Sequence, residues 1–144
     1  MPWYEYSVTP GGLKPYVEVR LLHGNKSVRL LAIVDSGADT SFLDASYADL
    51  LGRDRADAVS ADVTVASGGT ATALRWPSAP IELQFENERF PFRGMFADFP
   101  AGADPENLMG RSDFFERFII QFWDAQNLMC IDLSPDLPIL GHTP

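Results

Sequence analysis

Asp35, Ser36 and Gly37 close the apolar run Leu30-Leu31-Ala32-Ile33-Val34, and the chain turns apolar again at Phe42-Leu43. A carboxylate at the end of a greasy strand is costly to bury. Ser36 adds a small hydroxyl, and Gly37 allows a tight turn that a side chain would obstruct. The spacing therefore places an acid-base group at a strand end, on a rigid turn with apolar walls. Asp, Ser and Gly are also ordinary turn residues, so a plain turn is the competing reading of the tripeptide.

No other cluster offers as much chemistry. The single cysteine, Cys130, lies in the apolar run Leu128-Met129-Cys130-Ile131 and reads as a core thiol. His23 and His142 are far apart and form no metal-ligand spacing with each other or with Cys130, so no metal and no cofactor are expected. Twenty acidic residues against 11 basic ones give a net charge of −9, which repels phosphate backbones and argues against a nucleic-acid partner. No apolar run is long enough to span a bilayer. The N-terminus MPWYEYSV lacks the layout of a secretory signal, so a soluble, cytoplasmic chain is expected.

The elements that must position Asp35 are mostly short alternating runs. Trp3 to Val8, Tyr16 to Leu22 and Val28 to Val34 read as strands, the last two joined by a hairpin turn at His23-Gly24-Asn25-Lys26. Val63 to Val65 and Thr70 to Trp76 flank Ser67-Gly68-Gly69 as a second hairpin. Ile81 to Phe85 and Phe90 to Phe96 surround Glu86-Asn87-Glu88, and Phe90, Phe92 and Phe96 read as core. Ile119 to Trp123 and Leu128 to Leu133 make the last pair. Two stretches read as helices: Ala45 to Leu51, capped by Asp44 and closed by Gly52, and Asp113 to Phe118, capped by Ser112. Residues 100–106 read as a loop. The expectation is one all-β domain over residues 1–144, a small closed barrel or sandwich with one or two short helices. Its core spans about residues 16–133, with a proline-rich tail at 134–144.

On these residues the chain resembles the retropepsin-like, retroviral-type aspartic proteases. Asp35, Ser36, Gly37, Ala38 and Asp39, then Thr40 or Ser41 and Phe42, are similar to that family's active-site segment. Leu108, Met109, Gly110 and Arg111 resemble its second signature, two apolar residues and a glycine before a short helix. Leu50-Leu51-Gly52-Arg53 and Ile139-Leu140-Gly141 fit the second signature too. The first comes too early and better closes a helix, and the last leaves no room for one. VTVASGGTATALRW sits where the family has its flap hairpin.

The resemblance implies a barrel-like acid-protease fold and a peptide hydrolase. In that family two aspartates share one proton, one taking a proton from water and the other donating to the substrate carbonyl. One Asp-Ser-Gly per chain then implies a homodimer with Asp35 from each copy. Ser36 would brace the two loops across the dimer axis. Gly37, Ala38 and Asp39 would contact an extended peptide substrate, and Ser67, Gly68 and Gly69 would form the flap tip. Arg111 is expected to pair with Asp39, at a cost on the order of 3 kcal/mol to dimerisation on its removal if the pair is partly buried. A catalytically weak dimerising or peptide-binding module is the alternative, since such a cleft can bind peptides by strand addition.

Overall fold

The structure, a computed structural model, describes residues 3–9, 12–64, 69–98 and 106–133. Its spine is β4 (Tyr16–His23) and β5 (Lys26–Val34), paired antiparallel over their full length. The predicted turn joins them, with Gly24 at φ +59° where a side chain would be strained. Val17, Val19 and Leu21 of β4 and Leu30, Ala32 and Val34 of β5 face inward, as period-two alternation requires.

Around this pair runs a nine-stranded sheet. Its remaining strands are β6 (Phe42–Asp44), β7 (Val59–Thr64), β8 (Thr70–Arg75), β9 (Glu82–Phe85), β10 (Glu88–Pro91), β11 (Met95–Asp98) and β12 (Leu108–Met109). The order is β10-β9-β4-β5-β12-β6-β11-β8-β7, and the sheet curls over one apolar core. A second sheet orders β1 (Trp3–Glu5), β14 (Leu128–Leu133) and β13 (Phe118–Trp123). The β13–β14 hairpin is the one expected. The helix α1 (Ala45–Leu50) also forms as read, with the Asp44 carboxylate accepting from Ser46 N at 2.9 Å and Gly52 at φ +78° just past its end. Cys130 is buried, as are Phe90, Phe92 and Phe96.

Three expectations change. The run Trp3 to Val8 is two strands, β1 and β2 (Ser7–Thr9), the latter pairing with β3 (Gly12–Lys14). Tyr6 lies between them, its N–H donating to Asn127 O in line with the β1–β14 register. Phe90 to Phe96 breaks between β10 and β11, because Phe92 N donates to Ile81 O while Met95 N turns to Ser41 O. The helix expected at Asp113 to Phe118 is a single π-helical turn, Arg111–Phe115, with no side-chain cap. The Ser112 hydroxyl is instead bonded to Thr40 Oγ1 at 3.1 Å. Phe118 starts β13 because its ring packs with Phe114 and Phe85 in the core. Residues 134–144 and 99–105 lie outside the described residues. Among the described residues no helix is long and apolar enough to cross a membrane.

Candidate active site

Asp35 is the first residue beyond β5, on the loop that leads to β6. These two strands are consecutive in the chain but do not pair with each other. The two-residue β12 lies between them, parallel to β5 and antiparallel to β6. Leu108 is in register with both Ile33 and Phe42, and Met109 with Val34. The loop therefore arches over the end of β12, where Gly110 sits.

Gly110 is required there by space. A Cβ on it would lie 2.5 Å from Thr40 O and 2.8 Å from Ala38 O, both backbone atoms. The loop closes onto the chain that follows. Gly110 N donates to the buried Ser41 hydroxyl at 2.8 Å, Arg111 N to Ala38 O at 2.9 Å and Ser112 N to Asp39 O at 3.0 Å. Ser41 is 0% exposed, and this bond satisfies its buried hydroxyl.

The carboxylate stands at the other end of the arch. Asp35 N donates to Met109 O at 3.0 Å, which ties the residue to β12. Its Oδ1 accepts from Gly37 N at 2.8 Å, and Ala38 N reaches Asp35 O at 3.3 Å. Asp35 is half-buried, and Ser36 and Gly37 beside it are exposed. Gly37 has no positive φ, so the turn does not demand its conformational freedom. What a side chain there would meet is the Asp35 carboxylate itself, 3.2 Å from the Cβ position. The Ser36 hydroxyl has no hydrogen-bond partner among the described residues. Arg111 and Asp39 form the expected ion pair, but both side chains are exposed, so the pair within one chain is worth about 0–1 kcal/mol rather than the larger figure for a partly buried one.

β7 and β8 pair antiparallel, from Thr64↔Thr70 to Val59↔Arg75. Ser67 and Gly68 lie outside the described residues, while Gly69 is described and exposed. Two surface grooves, of about 540 and 560 Å³, lie elsewhere. One is bordered by Arg20 and Gln84, the other by His23 and Arg53, and Asp35 lines neither.

Several supporting residues were not read from the sequence. Ser41 appeared only as a pattern position, yet it carries the base of the loop. Asn107 fastens β5 and β6 through three bonds: its Oδ1 accepts from Asp44 N at 2.9 Å, its Nδ2 donates to Leu31 O at 3.3 Å, and its backbone O accepts from Ile33 N at 2.8 Å. Gly94 presses on the site from the other side, where a Cβ would lie 2.4 Å from Ser41 O. Asp113, in the π-helical turn, is 3% exposed and accepts from Arg93 N at 3.1 Å. Burial pushes its carboxyl above the usual carboxylate range.

No family profile matches the chain, and no curated protein matches it in sequence. Solved structures do match. One is the EIAV protease in complex with an inhibitor, at a TM-score of 0.52 and 21% identity, covering 72% of this chain and 86% of that one. Another is a retropepsin-like aspartic protease from Rickettsia conorii, at a TM-score of 0.52 and 16% identity, covering 90% of each chain. The chain has the fold of the retropepsin-like aspartic proteases.

Proposed function

We propose that the chain is an aspartic endopeptidase that works as a homodimer, with residues 1–144 forming one retropepsin-like domain. The observation that carries this reading is the half-buried Asp35 at the start of the loop, whose N–H donates to Met109 O and whose carboxylate accepts from Gly37 N. One such group per chain makes half of an acid-base pair. Two copies meeting at this loop bring the two carboxylates together, where like charges at close range share one proton, aspartic proteases being the standard instance of that effect. The ionised Asp35 takes a proton from a bound water. The protonated one donates to the carbonyl oxygen of the scissile peptide.

The remaining roles follow the same reading. Ser36, exposed and unpartnered among the described residues, bonds across the two-fold axis and braces the paired loops. Gly37, Ala38 and Asp39 line the substrate backbone, and Gly69 with Ser67 and Gly68 closes over it. Leu108, Met109, Gly110 and Arg111 support the loop from beneath.

A peptide-library cleavage assay from acid to neutral pH tests the proposal, with Asp35→Asn as control. Cleavage by the parent chain, abolished in the variant, is expected. Peptide binding with no cleavage at any pH would replace the enzyme with a peptide-binding module of the same fold.

A further inference from the structure

A ring of contacts runs around the base of the Asp35 loop, and the buried Asp113 closes it. Ser41 has two fastenings. Its hydroxyl accepts from Gly110 N, at the start of the π-helical turn, and its backbone O accepts from Met95 N at 2.9 Å, just after the break between β10 and β11. The turn and the break are separate arms reaching the same residue. Asp113 joins them, because its Oδ1 accepts from Arg93 N two residues before Met95. Gly94 lies between, packed so closely on Ser41 O that no side chain fits.

Asp113 is a costly residue for that post. At 3% exposed it is one of only two buried polar residues among the described ones, the other being Ser41. Its second oxygen, Oδ2, is buried with no hydrogen-bond partner among the described residues. An ionised carboxylate so placed would carry unsatisfied charge, whereas the neutral acid keeps the Arg93 bond at far lower cost.

We propose that Asp113 is a positioning residue that holds the base of the Asp35 loop in its neutral, protonated form, and that its ionisation loosens the loop. The charged groups facing it are few. Glu116, on the residues that follow its own turn, disfavours the anion. Arg93 from the break and Arg117 beyond the turn favour it. Burial outweighs both, together with the Arg93 N–H bond, and the carboxyl is raised above its ordinary value. A raised acid contributes stability that is fully present below the unfolded value and lost as pH rises through the folded one. The loop base is therefore firmest in acid. The connection to catalysis rests on the peptidase reading, but the structural claim does not.

The test is amide hydrogen exchange at Met95 and Gly110, whose N–H groups bond to Ser41, in the full chain and in Asp113→Asn. Asparagine keeps an oxygen for Arg93 N and never ionises. Comparing the two proteins at each pH cancels the intrinsic pH dependence of exchange. The expected result is that protection at both amides in the parent falls roughly fivefold or more, relative to the variant, as pH rises from about 4 to 8. Parallel profiles would overturn the proposal. Carbon-13 titration of the Asp113 carboxyl in the unmodified chain gives an independent reading, free of any folding defect in the variant. A value above that of free aspartate is expected, and a value at or below it would overturn the proposal as well.

Discussion

Gly110→Ala puts a methyl group where the Asp35 loop already is. The added Cβ would lie 2.5 Å from Thr40 O, 2.6 Å from Thr40 C and 2.8 Å from Ala38 O. All three are backbone atoms, so no side chain can swing aside. The loop must lift or β12 must sink. Overpacking of this kind costs about 1–3 kcal/mol. Lifting the loop also strains the hydrogen bonds from Gly110 N to Ser41 and from Arg111 N to Ala38 O, each worth about 1 kcal/mol. The sum, about 3–5 kcal/mol, is a large part of the roughly 5–15 kcal/mol that holds a domain of this size together. Urea unfolding should show the loss directly, and Tm should fall by about 10 °C. Because Asp35 N is tied to Met109 O, the neighbour of Gly110, the same displacement moves the carboxylate, and peptide cleavage should fall with it. Gly37→Ala is the matched comparison. Its Cβ meets only Asp35 Oδ1 at 3.2 Å, so activity should fall while stability stays within about 1 kcal/mol of the parent. A Gly110→Ala protein that unfolds at the parent urea concentration would refute this steric reasoning.

Other substitutions separate chemistry from scaffold. Asp35→Asn should abolish hydrolysis and leave unfolding unchanged, because an amide oxygen can still accept from Gly37 N but the group cannot act as base; a peptide-cleavage assay beside a melting curve checks both. Arg111→Ala should change the stability of the isolated fold by less than about 1 kcal/mol in urea unfolding, since its pair with Asp39 is exposed; a dimerisation defect measured by ultracentrifugation would then locate the residue's importance at the subunit contact. His23, 3.2 Å from Arg53 Nη1, has its pKa lowered by burial and then by the Arg53 charge. A base so lowered contributes stability that is present above its unfolded value, about 6.5, and lost as pH falls below it. Urea unfolding of the parent and His23→Gln from pH 8 to 5 should therefore show the parent losing its advantage on acidification.

What could be read in advance was local. The β4–β5 hairpin follows from alternation on both sides of a turn, and α1 follows from Asp44 and Gly52, signals that lie within a few residues of what they control. The short strands β6 and β12 were not legible, because two or three residues carry no period and their partners lie far along the chain. The break after Pro91 was hidden for a similar reason: the approach of Ser41 O and of the Phe92 ring forbids a side chain at Gly94. The π-helical turn differs from the expected helix because the Ser112 hydroxyl goes to Thr40 instead of capping, and Phe118 is claimed by the ring cluster. Asp35 and Gly110 were legible as motif residues. Ser41, Asn107 and Asp113, which secure them, depend on tertiary contacts and have no motif of their own.

The central claim is that one active site needs Asp35 from two copies, and a mixing experiment tests it most directly. Parent chain and Asp35→Asn chain are combined at constant total concentration, allowed to exchange subunits, and assayed for peptide cleavage. If the two carboxylates form one catalytic pair, every mixed dimer is inactive and activity follows the square of the parent fraction. An equal mixture then retains about a quarter of the parent activity. Activity that falls only in proportion to the parent fraction, to about half in the equal mixture, would mean that each chain cleaves on its own and would contradict the shared dyad.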